Sequence, residues 1–197
     1  KVVYYISKHL GVHDDIELTI YGFQNFANTL GAAIRKDIPS AVKIHDAYAT
    51  ENPKRNGFGE LEIGGYLKKN PQDVIIVFND NVVTSAITNN IMNECGSERK
   101  NFRLVSYMDQ VYPYQKKAYI ELLNKHYDAI IAFTPYWADI ARKLGIKESM
   151  PMYIFPHGFD TRLYYPIPIK LCRMYFNFDH NAFMVLNLNR NQPRKRW

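Results

Sequence analysis

The sequence predicts an α/β protein built on a parallel sheet, and three observations carry this prediction. Asp73–Phe78 (DVIIVF) and Asp128–Phe133 (DAIIAF) are short, continuous apolar runs of the kind buried in parallel sheets. Each ends in polar punctuation, Asn79-Asp80 in one case and Thr134-Pro135 in the other. The runs alternate with stretches whose apolar residues recur at helical spacing. Together these give a Rossmann-like parallel sheet with helices on both faces, then a crossing into the first strand of a second α/β domain.

Taken in order, Val2, Val3, Ile6 and Leu10 predict a helix over Lys1–Leu10, capped by Gly11. Ile16–Ile20 reads as a buried strand closed by Tyr21-Gly22-Phe23. Asn25–Ser40 is ambiguous between helix and loop, and Ala41–Tyr48 is strand-like. Glu51–Gly59 is rich in Asn, Pro, Lys, Arg and Gly and reads as a loop. Glu60–Lys69 is expected to be a helix with Leu61, Tyr66 and Leu67 inward. Asp73–Phe78 is the clearest strand, expected to be buried on both faces. Val82–Asn93 follows as a helix and Phe102–Met108 as a strand. A helix begun by Pro113 runs to His126. After the strand Asp128–Phe133, Tyr136–Leu144 is a helix ended by Gly145. Met152–Phe155 is a buried run stopped by Pro156. A linker holding Pro166 and Pro168 and a short amphipathic segment come next, then a second buried run at Phe183–Leu188.

With 197 residues, 47% hydrophobic and 22% charged, the chain has the composition of a globular protein with one good core. No apolar run approaches the length of a membrane span, and no signal-peptide pattern opens the sequence. Cys95 and Cys172 form neither a disulfide framework nor a metal spacing, which suits a reducing, cytoplasmic setting. The net charge of +6 is local: residues 151–197 hold 7 Lys/Arg against 2 Asp/Glu. Such confinement favours a specific anionic ligand near the C-terminus over a polyanion-binding face, so nucleic acid is not expected as a partner. Lys1 already sits in an amphipathic pattern and no stop signal follows Trp197, the pattern of a piece of a larger protein.

The stretch YIFPHGFDTRLYYP, followed after the linker by MVLNLNRNQPRKRW, carries a family resemblance. It resembles the inter-domain crossover of retaining, GT-B-fold glycosyltransferases of the glycosyltransferase 4 type (group 1). The form NRNQPRKR is most similar to that of glycosyltransferases of large DNA viruses, for which the setting is the host cytoplasm. The resemblance implies an N-terminal, acceptor-side domain over residues 1–160 that lacks the family's first strand and Gly-rich loop. A linker over 161–181 and the start of a nucleotide-sugar-binding domain over 182–197 follow. It implies a nucleotide-sugar donor, a glycan, protein or small-molecule acceptor, retention of configuration, and neither a metal nor a cofactor. The family's acidic donor motif lies in a C-terminal domain beyond Trp197, so the 197-residue chain alone is expected to transfer little.

In a parallel sheet the carboxyl ends of all strands line one edge, where ligands bind. The residues that follow the predicted strands are Gly22, Asn79-Asp80, Asp109, Thr134, His157-Gly158 and Asn189-Arg190. Arg190 and Lys195, spaced R-x-x-x-x-K after the last run, fit the diphosphate-binding pair of the resembling family; a solvated basic tail is the plain alternative. A guanidinium and an ammonium there would stabilise the leaving phosphate without a metal. His157-Gly158 lines the cleft near the hinge in that family, although a capped turn with a satisfied histidine explains it equally. Many members carry a sugar-facing histidine after the strand that ends at Met108. Here YMDQ places Asp109, a candidate catalytic carboxylate or a helix N-cap. Asn79 and Asp80 fit acceptor contacts or turn residues. His9, His13, His45, His126 and His180 show no ligand spacing. The alternative function is a non-catalytic α/β module that binds a ligand or a partner. A glycoside hydrolase is disfavoured, since no carboxylate pair marks a common site.

Overall fold

A computed structural model of the chain describes residues 2–23, 38–47, 57–108, 112–158 and 160–186. Two compact units are present, Lys1–Gly158 and Phe159–Trp197.

The first unit is an α/β structure with two parallel sheets. Helix α1 (Val2–Leu10) leads to β1 (Thr19–Gly22), which pairs in parallel with β2 (Lys43–Asp46). Helix α2 (Ile63–Lys69) then precedes the main sheet: β3 (Val74–Asn79), α3 (Asn81–Cys95), β4 (Arg103–Met108), α4 (Lys117–His126), β5 (Ala129–Ala132), α5 (Pro135–Lys143) and β6 (Met152–Ile154). A 3-10 helix over Gly96–Asn101 joins α3 to β4. The four strands are all parallel in the order β3-β4-β5-β6. Every step across the sheet is therefore a helical crossover, as the alternation of apolar runs predicts.

The core lies between the sheet and its helices. Leu104 and Ile130 from the strands meet Ile91 of α3 and Leu123 of α4, and all four are fully buried. Helix α2 rides on α3 through Gly64: a Cβ there would stand 2.5 Å from Glu94 Cβ and 2.9 Å from the Asn90 carbonyl oxygen. The close approach is fixed by Asn90, whose side-chain oxygen accepts from the Gly64 N–H at 2.8 Å. Gly145, at φ +105°, lets the chain turn out of α5 in a backbone region that side chains disfavour.

At the amino edge of the sheet, Asp128 ties the β4 and β5 crossovers together. Its carboxylate accepts from the Leu104 N–H at 2.7 Å and from Arg99 at 2.6 Å. Arg99 also donates to the carbonyls of Phe102 and His126. Partial burial pushes the Asp128 carboxyl up. The Leu104 N–H and the Arg99 guanidinium outweigh that effect and hold it below the usual carboxylate range.

Several expectations need correction. Leu61 points to solvent at 60% exposure, because α2 starts only at Ile63, and Ile63 takes the inward place. Strand β3 is not buried on both faces: as the border of the four-stranded sheet it leaves Val74 and Ile76 half exposed while Val77 packs inward. The run Met152–Phe155 is the opposite border, with Tyr153, Ile154 and Phe155 exposed. A border strand packs against one neighbour only, so a continuous apolar run does not guarantee two covered faces. Pro113 does not begin α4, which starts four residues later at Lys117. The strand expected at Ile16–Ile20 is shifted to Thr19–Gly22 and belongs to the smaller sheet, so Gly22 does not end a strand of the main one.

The second unit contains α6 (Ile169–Tyr175), the short segment expected after the linker. None of its described residues is buried, and Leu171, Met174, Tyr175 and Phe183 stand in solvent. Arg162 pairs with Asp160 within the turn that opens the unit, and Arg173 donates to the carbonyls of Asp179 and His180. Residues 182–186 form no strand and Phe183 is 93% exposed, contrary to the buried run expected there. A strand exists through its ladder, and these residues have none. The rest of that run, with Arg190 and Lys195, lies outside the described residues.

Candidate functional site

The strand register sets the carboxyl edge in line. Asn79 of β3 pairs with Met108 of β4, Met108 with Ala132 of β5, and Ala132 with Ile154 of β6. The next residues of β3, β5 and β6 are therefore aligned along one rim, although the first and last of them, Asp80 and Phe155, are far apart in sequence. Asn79-Asp80 and His157 follow the two outer strands, roughly 14 Å apart at three strand spacings.

The chain leaving β6 shortens that separation. Phe155 N–H donates to the Ala132 carbonyl at 2.8 Å, and the Tyr107 hydroxyl donates to the Phe155 carbonyl at 3.3 Å. The His157 ring consequently lies over the tips of β5 and β4. It stacks on Phe133 with centroids 4.9 Å apart and planes 18° apart, and faces Tyr107 at 5.9 Å and 22°. Tyr107 meets the edge of Phe78, the residue before Asn79, at 4.8 Å and 81°. On the other side Phe133 contacts Trp137 at 6.2 Å, and Trp137 contacts Tyr136 at 4.9 Å. An unbroken run of aromatic rings thus spans the rim from β3 to the first turn of α5. His157 remains exposed despite its two ring neighbours, so its outer side is available to a ligand.

Local chemistry explains the turns beneath these rings. Asp80 is the N-cap of α3, and its carboxylate accepts from the N–H groups of Val82 and Val83, both at 3.1 Å. The Asn79 side-chain oxygen accepts from the Asp80 N–H, and its carbonyl accepts from the Thr84 hydroxyl. Thr134 caps α5 by accepting from the Trp137 N–H at 3.2 Å, with Pro135 in the first helical position. The cap engages the backbone of Trp137, the residue whose ring contacts Phe133.

The proposed acceptor residues Asn79 and Asp80 are thus engaged in capping. Asp80→Ala should destabilise the protein by about 1 kcal/mol, while Asp80→Asn should cost only a few tenths, because Asn caps as well as Asp. Denaturant titration of the two variants tests this. Equal stability of the alanine and asparagine variants would count against the capping role.

Of the residues singled out in the sequence, His157, Gly158, Asn79 and Asp80 stand on this rim. Asp109, Arg190 and Lys195 lie outside the described residues. Tyr107, Phe133 and Trp137 are the rim groups that the strand-tip reading overlooked. The signal was present in the aromatic residue placed at or beside the end of each strand, but aromatic residues in apolar runs read as core.

A cleft of about 300 Å³ opens at the other end of the sheet, lined by Leu67, Asp73, Cys95, Glu98 and Phe102 among others. Burial pushes the Cys95 thiol up, which makes it a poor nucleophile. Asp73 and Phe102 precede their strands, so this cleft is remote from the rim where the candidate residues gather. No group of three or more His, Cys, Asp or Glu among the described residues could hold a metal ion. No helix among them is long and apolar enough to cross a membrane.

Compared with known proteins, the chain matches no family model, and no curated protein sequence matches it.

Proposed function

We propose that this chain is part of a glycosyltransferase of the GT-B type, which moves a sugar from a nucleotide-sugar donor to an acceptor hydroxyl with retention and without a metal. The observation that most supports it is the position of His157-Gly158, the start of the resembling motif, on the carboxyl rim of a parallel sheet in line with Asn79-Asp80. Ligands of open α/β sheets bind at that edge. The R-x-x-x-x-K pair at Arg190 and Lys195 supplies the cations that a departing nucleoside diphosphate requires. Asp109, the next residue in sequence after Met108, is the candidate to orient the acceptor or to face the sugar carbon. The cytoplasm, of a host cell if the protein is viral, is the setting proposed for it.

Calorimetric titration of the full-length protein with uridine, guanosine and adenosine diphosphates tests the reading. One of them should bind, and Arg190→Ala and Lys195→Ala should each weaken it roughly tenfold, the worth of one charge-assisted hydrogen bond. Absence of binding to every nucleoside diphosphate, together with no diphosphate release from nucleotide sugars, would overturn it. A non-catalytic binding module is the second reading, favoured by the use of Asn79 and Asp80 as capping groups.

A further inference from the structure

We propose that the junction of α3, α4 and β4, just beneath the carboxyl rim, is a binding site for one internal water molecule, held by the side-chain oxygens of Asn81, Ser106 and Tyr119. Its occupancy does not depend on the transfer reading above.

Three buried oxygens call for it. Asn81 Oδ1, Ser106 Oγ and the Tyr119 hydroxyl are shielded from solvent, and none of them has a hydrogen-bond partner in the protein. Ser106 is 1% exposed and Tyr119 5%. A buried polar group left unmet costs at least as much as a lost hydrogen bond, and three together would take a large share of a domain's stability. Native proteins keep few such groups, so these three need a partner that the chain itself does not supply.

The elements bring the three to one junction. Asn81 opens α3, and its side-chain amide donates to the side-chain oxygen of Gln115, two residues before α4. Tyr119 lies in the first turn of α4. Ser106 of β4 pairs with Val77 of β3 and shares the helix-covered face of the sheet with Leu104 and Met108. Burial pushes the Tyr119 phenol up to about 12; the Ser106 hydroxyl beside it opposes this rise, and the Asp80 carboxylate adds to it. The phenol therefore borders both Ser106 and the start of α3, and at neutral pH it keeps its proton.

Donor and acceptor chemistry selects water. Asn81 Oδ1 can only accept, whereas each hydroxyl both donates and accepts. One water gives all three a partner: it donates to Asn81 Oδ1 and to the Ser106 oxygen, and accepts from the Tyr119 hydroxyl. Three such bonds are usual for an internal water. A direct chain from Ser106 through Tyr119 to Asn81 would serve as well, but neither of its bonds is formed. All three oxygens are neutral, which suits water and not an ion.

The next hydroxyls along the same helices behave differently. Thr88 and Tyr127 are also buried, yet their hydroxyl oxygens are 2.7 Å apart, and Thr88 donates to the Thr84 carbonyl at 2.6 Å. The Tyr127 hydroxyl therefore donates to Thr88, and this pair is satisfied within the protein. Only the end of the seam nearest the rim leaves its oxygens unmet.

A high-resolution crystal structure of the protein tests the proposal. It should show a solvent oxygen roughly 3 Å from each of Asn81 Oδ1, Ser106 Oγ and the Tyr119 hydroxyl. Oxygen-17 relaxation dispersion reads the same site in solution. The double variant Ser106→Ala, Tyr119→Phe leaves the water only the Asn81 oxygen, so the number of long-lived internal waters should fall by one. Direct Ser106–Tyr119 and Tyr119–Asn81 hydrogen bonds, or no solvent peak at the junction, would overturn the proposal. An unchanged count of long-lived waters in a folded double variant would do the same. If the double variant does not fold, the crystal structure decides alone.

Discussion

Replacing Tyr107 by alanine should cost the fold about 3–5 kcal/mol, the usual range for removing a buried aromatic side chain. Tyr107 is 2% exposed and is the largest of the fully buried side chains. Its ring touches Phe78 and His157, and its hydroxyl holds the Phe155 carbonyl. The midpoint of thermal unfolding should fall by roughly 10 °C for a chain of this size. Tyr107→Phe keeps the ring and loses one long hydrogen bond, so it should cost only about 1 kcal/mol. The ring also supports His157, and its loss should move the His157 imidazole proton resonances as two ring-current neighbours become one. Equal stability of the two variants, or unmoved His157 resonances in Tyr107→Ala, would show that the rim does not depend on this side chain.

Asp128→Ala should destabilise the protein by about 3 kcal/mol. The substitution leaves the Leu104 N–H and part of the Arg99 guanidinium without an acceptor at a site where both partners are only about a quarter exposed. Because the carboxyl is held below its usual range in the folded chain, its contribution is present at pH values above the unfolded value, about 3.9, and is lost as pH falls through the folded one. The wild-type chain should therefore lose stability below about pH 4. The variant should start lower and lose less over the same interval. Chemical denaturation at pH 7 and at pH 3 measures both, and parallel curves for the two proteins would remove Asp128 from the account of acid sensitivity.

The two predictions concern opposite edges of one sheet, and they separate stability from function. The amino edge carries the ionic network that fixes the crossovers, and the Cys95 thiol in the cleft at that end is pushed up by burial. At the carboxyl edge the rings of Phe133, Trp137 and His157 remain partly or wholly open to solvent. Among the described residues, the Asp128–Arg99 ion pair lies at the amino edge, while the carboxyl edge carries aromatic rings and the capping groups Asp80 and Thr134.

Much of this was legible from residue order. The runs DVIIVF and DAIIAF, the polar residues that close them and the turn at Gly145 are local features, whereas the capping by Asp80 and Thr134 came from the structure. Backbone hydrogen bonding within a few residues is decided by those residues themselves. The parallel layout also followed, since helices between strands force crossovers. Coverage of a strand's faces did not follow. Val74, Ile76, Tyr153 and Ile154 are as apolar as any core residue, yet they stand exposed because β3 and β6 are the borders of the main sheet. The meeting of His157 with Phe133 and Tyr107 was equally out of reach. It depends on register across three strands and on the contacts of the residues after β6 with β4 and β5, far apart in sequence. Sequence alone determined the alternation of strands and helices in the main sheet and the helix end at Gly145, because those signals are short-range. Only the tertiary structure decided which strands are borders and which rings meet, because those depend on the order in which the strands pair.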